Sequence, residues 1–121
     1  MTASEPPVAL LKAELFKALA HPVRVRALEQ LLQGERSVGE LAGVLEIEIS
    51  HLSQQLGILR RAGVVLTRRE GNTVVYGIRD ERLRLIFSTA REMLVSRLED
   101  SHSLLSSLAT ESDDAERGPS R

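Results

Sequence analysis

The spacing of apolar residues along this 121-residue chain changes near residue 63, and that change limits the folds open to it. Up to residue 62, aliphatic residues recur every three or four positions, which predicts helices at 8–20, 22–33, 38–45 and 48–62. From residue 64, the β-branched runs 64–69 and 73–78 predict two strands, and helical spacing returns after Asp80. The fold class is therefore mainly α with a small β-hairpin.

The residues between these segments are of the types that end helices and form turns. They are His21-Pro22, Gly34, Gly63 and Gly71-Asn72. The residue before a proline is disfavoured in a helix, so we expect His21 to be a local cap or packing residue between two helices. Ser37, with Glu40 three residues later, predicts a capping box at the start of the third helix.

The composition indicates a folded protein with an aliphatic core. Hydrophobic residues make up 42% of the chain, whereas the aromatic residues are only two Phe and one Tyr. No apolar run approaches the roughly 20 residues of a membrane span, and the N-terminus lacks a signal-peptide pattern. The chain has no cysteine, which excludes a disulfide scaffold and a thiolate metal site. We therefore expect a cytoplasmic protein with no membrane association.

Charge is unevenly distributed, although the formal net charge is only −1. Between residues 60 and 84 every basic residue is arginine, whereas between residues 99 and 116 every charged residue is acidic. A basic middle with an acidic end is compatible with a local nucleic-acid surface on a near-neutral protein. We expect a flexible N-terminus at 1–6, one domain at 7–109, and a polar, acidic, disordered tail at 110–121.

Two short helices joined by a tight connection at 46–47, followed by a basic hairpin, predict a winged helix-turn-helix. The second of these helices carries short hydrogen-bonding side chains and glutamines opposite its apolar stripe, and such side chains can read base edges in the major groove. Arginines at its end and on the hairpin suit phosphate contacts. The predicted contacts to double-stranded DNA are Ser50, His51, Ser53, Gln54, Gln55, Arg60, Arg61, Arg68, Arg69, Asn72 and Thr73.

Four segments resemble the corresponding parts of ArsR/SmtB-type bacterial repressors. They are FKALAHPVRVRALEQL, SVGELAGVL, SHLSQQLGILRRAGVV and RREGNTVVYGI, within a resemblance that extends from about Leu10 to Met93. The resemblance implies a homodimeric repressor that binds an operator of dyad symmetry and leaves it when an inducer binds. It also implies that the first and last helices form the dimer.

Aliphatic stripes on the first and last helices fit such a homodimer. The stripes run through 8–20 and 83–98, and we expect them to pack against each other and against their dyad mates. The predicted interface residues are Leu11, Leu15, Leu83, Ile86, Phe87, Ala90, Leu94 and Leu98.

The chain departs from this family at the positions that bind metal in its metal sensors. Thiol sensors of the family have a Cys-x-Cys pair where this chain has Ser37 and Gly39, so sensing of arsenic, lead or cadmium at that site is excluded. Zinc and nickel sensors carry acidic and histidine ligands on the last helix. The matching residues here are Asp80, Arg82, Met93 and Ser96. An aspartate beside an arginine is not a metal site, and we expect no cofactor.

Asp100 and His102 are candidate ligands of a different metal site. Their ligand types would suit nickel or zinc, but a solvated polar tail is the interpretation that we favour.

The connection before the second helix also departs from the family, which often has glycine there and serine or threonine at the cap. This chain has Glu46 and Glu48, and a carboxylate at Glu48 would favour the helix dipole but repel a nearby phosphate.

The sequence contains no phosphate-binding glycine loop, zinc-hydrolase motif or nucleophile elbow, so we predict that the protein is not an enzyme. Three hypotheses about its control stay open. It is a repressor with an unidentified inducer, a DNA-binding subunit controlled by a sensor protein partner, or a nickel or zinc sensor with a non-standard site. A winged helix used only for protein contacts is a more distant alternative.

Overall fold

The structure is a computed structural model that describes the backbone of residues 7–117 and the side chains of residues 7–111. Its elements, in chain order, are α1 (Val8–Leu19), α2 (Pro22–Leu31), β1 (Arg36–Ser37), α3 (Val38–Leu45), α4 (Ile49–Arg61), β2 (Val65–Glu70), β3 (Thr73–Ile78) and α5 (Leu83–Arg117). The chain divides into two units, Met1–Glu81 and Arg82–Arg121. The expected flexible segment 1–6 lies outside the described residues.

The core of the first unit is built from aliphatic side chains of α2, α3, α4 and β2. Its largest fully buried members are Leu28, Leu41, Leu52, Leu56, Leu59 and Val65. α4 contributes three of them at spacings of four and three residues, so the periodicity of the sequence predicted this part of the core. One face of α4 is thereby held against the rest of the unit, and its opposite face is left to solvent.

The two turns that border α4 have left-handed backbone at one residue each. At Glu46, φ is +56° and ψ is +48°, and the Ile47 N–H donates to the Ala42 carbonyl, which closes the end of α3. At Gly63, φ is +76°, and the Val64 N–H donates to the Leu59 carbonyl in a Schellman motif. Glycine adopts this conformation without strain, whereas the glutamate does so at a cost.

The sheet has three antiparallel strands in the order β1-β3-β2. β2 and β3 form the predicted hairpin, in which Val65 pairs with Ile78 and Glu70 with Thr73. Gly71 supplies the positive φ of the turn, at +65°. β1 was not predicted, because its two residues carry no periodic pattern and are a strand only through pairing with Tyr76 and Val75 of β3.

The second unit is the single long helix α5. It runs to Arg117, so the helix does not end near residue 110, where we expected a disordered tail to begin. Leu94, Leu98, Leu105 and Leu108 are exposed along it. Within the described part of the chain, no helix is both long enough and apolar enough to cross a membrane.

Candidate nucleic-acid interface

The solvent face of α4 consists of small polar side chains followed by two arginines. Ser50, His51, Ser53 and Gln54 are exposed in the first two turns, and Arg60 and Arg61 are exposed in the last turn. Ser50, Ser53, Gln54 and Arg61 border a shallow open depression together with Gln55, Gly57 and Ile58. Since α4 contains no carboxylate, this face presents donors and cations to an anionic ligand. Six of the seven residues predicted on this helix therefore lie on one accessible face.

Gln55 differs from the other six predicted contacts, because its side chain is largely buried. Its side chain is only 8% exposed, and its Oε1 accepts a hydrogen bond of 3.0 Å from Nη1 of Arg24 on α2. The spacing of the sequence could have shown this, because Gln55 lies three residues after Leu52 and four before Leu59, on the edge of the apolar stripe. The hydrogen bond to Arg24 and the low exposure make Gln55 less available to a base edge than Gln54.

The first serine of α4, Ser50, is hydrogen-bonded to the side chain of the N-cap residue. Glu48 is the N-cap residue, but its side chain makes no cap hydrogen bond. Its Oε1 instead accepts a hydrogen bond of 2.7 Å from the Ser50 hydroxyl. Ser50 is therefore oriented by a carboxylate that lies close to the expected path of a phosphate backbone.

His21 caps α2, as the sequence analysis expected. Its Nδ1 accepts a hydrogen bond of 3.1 Å from the Val23 N–H. The His21 and His51 rings are tilted at 58°, with their centroids 6.3 Å apart.

The hairpin presents Arg68 and Arg69 in different ways. Successive residues of a strand point to opposite faces, and Arg68 and Arg69 pair with Val75 and Val74 of β3, respectively. Nη2 of Arg68 lies 3.0 Å from Oε1 of Glu35, and its Nη1 lies 2.9 Å from Oε2 of Glu70. These hydrogen bonds, first the one to Glu35 and then the one to Glu70, raise the pKa of the Arg68 guanidinium.

In the sequence the two arginines are equal candidates for phosphate contacts, whereas the structure separates them. Arg68 is already bonded to two carboxylates, which offset its charge. A glycine at position 77 leaves room for this arrangement, since a Cβ there would lie 3.1 Å from Oε2 of Glu35. Arg69, Asn72 and Thr73 are exposed at the tip of the hairpin.

Sequence reasoning missed two arginines of α2 that hold the helix-turn-helix in place. Nη2 of Arg26 donates to the Leu45 carbonyl at the end of α3, at 3.0 Å. Arg24 binds Gln55, and its Nη2 donates to the Lys17 carbonyl in the last turn of α1, at 3.4 Å. Arg24 and Arg26 are charged residues within a predicted helix. The sequence alone therefore gives no sign that they are hydrogen-bonded to neighbouring helices.

Asp100 and His102, the residues of the alternative metal site, are both exposed on α5. They are two residues apart in a continuous helix, so their side chains point to different sides. Among the described residues, no group of three or more histidine or carboxylate side chains comes together in a way that could hold a metal ion.

A family model described as bacterial regulatory protein, arsR family, matches residues 21–67, which include α2, α3 and α4. The uncharacterized HTH-type transcriptional regulator Rv0081 of Mycobacterium tuberculosis is 48% identical over 103 residues, which are 84% of this chain and 90% of the relative. The chain belongs to the ArsR family. It is therefore a winged helix-turn-helix, DNA-binding transcriptional regulator, and not an enzyme.

Other ArsR-family comparisons agree with this assignment. The crystal structure of Rv0081 superposes with a TM-score of 0.71 and 49% identity, covering 80% of this chain and 98% of that chain. The homodimeric winged helix-turn-helix domain Mb0332 of Mycobacterium bovis gives a TM-score of 0.68 and 31% identity, covering 82% and 95%. The biofilm growth-associated repressor of Agrobacterium fabrum is 52% identical over 75 residues, which are 61% of this chain and 64% of that protein.

Proposed function

We propose that this ArsR-family protein is a homodimeric repressor that binds an operator of dyad symmetry and is released by a signal. The observation that carries the proposal is the face of α4, where exposed serines, a histidine and a glutamine precede two exposed arginines. The similarity to the biofilm growth-associated repressor supports a role in repression. Since its ligand is genomic DNA, we assign its site of action to the bacterial cytoplasm.

In this proposal α4 is the recognition helix and lies in the major groove. Gln54 is the side chain best suited to discriminate bases, because it is exposed and its amide can bind an adenine edge in a bidentate manner. His51 and Ser53 supply further hydrogen bonds to bases or sugars, and Ser50 does so as an acceptor, since its hydroxyl donates to Glu48. Arg60 and Arg61, together with Arg69, Asn72 and Thr73 of the hairpin, bind the phosphate backbone.

The dimer part of the proposal is supported by exposed aliphatic side chains on α1 and α5. Leu11 and Leu15 of α1 and Leu94 and Leu98 of α5 are exposed in the single chain, although leucine favours burial. Ala90 is exposed as well, and Ile86 and Phe87 are half-buried. Leu83 is an exception among the predicted interface residues, because it is only 7% exposed within one chain and has little surface to offer a partner.

The proposal is tested with a duplex that the wild-type protein enriches from a random-sequence pool, compared with a scrambled duplex of the same composition. We expect Gln54→Ala to reduce the preference for the selected duplex by about 5- to 150-fold, because a good bidentate contact is worth about 1–3 kcal/mol. Binding of both duplexes is expected to weaken steeply as salt concentration rises.

The matched control is Gln33→Ala, which removes an exposed glutamine that does not lie on α4. It is expected to leave the preference unchanged. Binding that does not respond to salt, or a wild-type protein that enriches no sequence, would overturn the proposal. The same assay, repeated with metal salts, small metabolites and products of neighbouring genes, identifies the signal.

A further inference from the structure

The hydrogen bond between Arg24 and Gln55 joins α2 to the buried side of the proposed recognition helix. Gln55 is 8% exposed, and its amide oxygen lies 3.0 Å from Nη1 of Arg24. Among the described atoms, Nε of Arg24 is buried without a hydrogen-bond partner, so the guanidinium depends on Gln55 and on the Lys17 carbonyl. A polar pair in this environment is stable only in a narrow range of geometries.

Leu52, Leu56 and Leu59 also hold α4 against the rest of the unit, but their contacts are apolar and have no preferred direction. A helix held by such contacts alone can rotate slightly about its axis and keep its core burial. A hydrogen bond is directional, and a charged donor makes it stronger. Gln55 lies next to Gln54 in the chain, so the contact that fixes Gln55 also fixes the direction of Gln54.

We propose that Arg24 is a positioning residue that sets the rotation of α4 through Gln55 and thereby the direction in which Gln54 meets the bases. This inference rests on the proposed function, because it deepens the account of how operator sequence is recognised. Arg24 also binds a carbonyl in the last turn of α1, so α1, α2 and α4 share a single guanidinium. A cation at the end of a helix is favoured there by the helix dipole.

The test compares Gln55→Leu, which removes the acceptor at similar volume, with Gln55→Glu, which keeps it as a carboxylate. We expect Gln55→Leu to lower the preference for the selected duplex at least about tenfold, while affinity for the scrambled duplex and its salt dependence stay close to wild type, because Arg60, Arg61 and Arg69 remain. Gln55→Glu is expected to keep the preference within about threefold of wild type, since Arg24 can still donate to it.

A second measurement does not require DNA. Residual dipolar couplings of backbone amides in the full chain report the orientation of α4 relative to α2. We expect the couplings of α4 to change in Gln55→Leu and to stay unchanged in Gln55→Glu. The neighbouring variant Gln54→Leu is the control, and it is expected to lower the DNA preference without any change in the couplings.

Arg24→Lys provides a further variant should Gln55→Leu fail to fold. An ammonium cannot reproduce the planar fork that reaches both Gln55 and Lys17, so we expect it to behave like Gln55→Leu. The inference is overturned if the couplings are unchanged in both variants, or if specific and nonspecific binding fall by the same factor. If the couplings change but the wild-type protein selects no sequence, the proposed function fails while the positioning role of Arg24 stands.

Discussion

At the scale of single residues, the two adjacent arginines of β2 show that composition alone does not identify a DNA contact. Arg68 and Arg69 are equivalent in the sequence, yet Arg68 is bonded to Glu35 and Glu70, and Arg69 is exposed at the tip of the hairpin. Glu35 lies 33 residues before Arg68 in the chain, so no local pattern relates them. Because their surroundings differ, we expect substitutions of Arg68 and Arg69 to have different effects on DNA binding.

We expect Arg69→Gln to weaken binding to all duplexes and to lower the slope of log affinity against log salt by about one, because one phosphate contact is lost. The comparison is the double variant Glu35→Gln with Arg68→Gln, which removes both charges of the pair and leaves the net charge unchanged. Its slope is expected to equal that of the wild-type protein. An equal fall of the slope in both proteins would mean that Arg68 leaves Glu35 and binds phosphate. Fluorescence anisotropy over a salt series measures both slopes.

Among the helices and strands, those that depend on local sequence were predicted correctly. Those that depend on contacts between distant residues were not. The four helices of the first unit and the β2–β3 hairpin lie within a few residues of the predicted ranges, because periodicity and capping residues determine them. β1 and the Arg26 contact to Leu45 exist only because distant segments meet. Gln55 lies between these two cases. The spacing of the sequence could have indicated its burial, but its hydrogen-bond partner Arg24 could not be deduced.

The capping box of α3 is a predicted element that the structure confirms, and it gives α3 a dependence on pH. Oε1 of Glu40 accepts the Ser37 N–H at 3.0 Å, and the Ser37 hydroxyl accepts the Glu40 N–H at 3.2 Å. The first of these hydrogen bonds is the main reason that the pKa of Glu40 is lowered from 4.5. A lowered pKa in the folded state means that the charged carboxylate stabilises the fold above pH 4.5 and that this stabilisation is lost as pH falls further.

We therefore expect Glu40→Gln to be less stable than the wild-type protein near neutral pH, and the difference to shrink as pH falls from 4.5 towards 3. Ser37→Ala is the comparison, because it removes a cap of about 1 kcal/mol that carries no titrating group. Because the Ser37 hydroxyl is only the second cause of the lowered Glu40 pKa, the deficit of Ser37→Ala is expected to shrink less at low pH than that of Glu40→Gln. Denaturant unfolding at a series of pH values measures both differences. If the difference in unfolding free energy between Glu40→Gln and the wild-type protein grew as pH falls, the lowered pKa of Glu40 would be contradicted.

At the scale of the whole molecule, charge and apolar surface are distributed over different parts of the chain. The formal net charge of −1 combines an arginine-rich region around α4 and the hairpin with an acidic segment in the second half of α5. Most of the exposed leucines among the described residues lie instead on α1 and α5, with Leu66 on β2 as an exception. In the proposed dimer each protomer contributes one α4, and two such helices would match the two half-sites of an operator with dyad symmetry.

The two faces of α5 allow the dimer to be tested within one helix. Leu94 is 56% exposed and Leu85 is 64% exposed, so the two are similarly accessible in the single chain. They are nine residues apart, which at about 100° per residue places them on opposite sides of the helix. Leu94 shares its side with Ala90 and Leu98 of the predicted interface, whereas Leu85 does not.

We expect Leu94→Glu to raise the dimer dissociation constant at least about tenfold, because an unpaired carboxylate in an apolar interface costs more than the ~1.4 kcal/mol that a factor of ten represents. Leu85→Glu is expected to leave the dissociation constant unchanged. Sedimentation equilibrium at micromolar concentration measures both, and binding of Leu94→Glu to the selected duplex should fall together with dimerisation. A wild-type protein that sediments as a monomer, or an effect of Leu85→Glu as large as that of Leu94→Glu, would exclude this face of α5 from the interface.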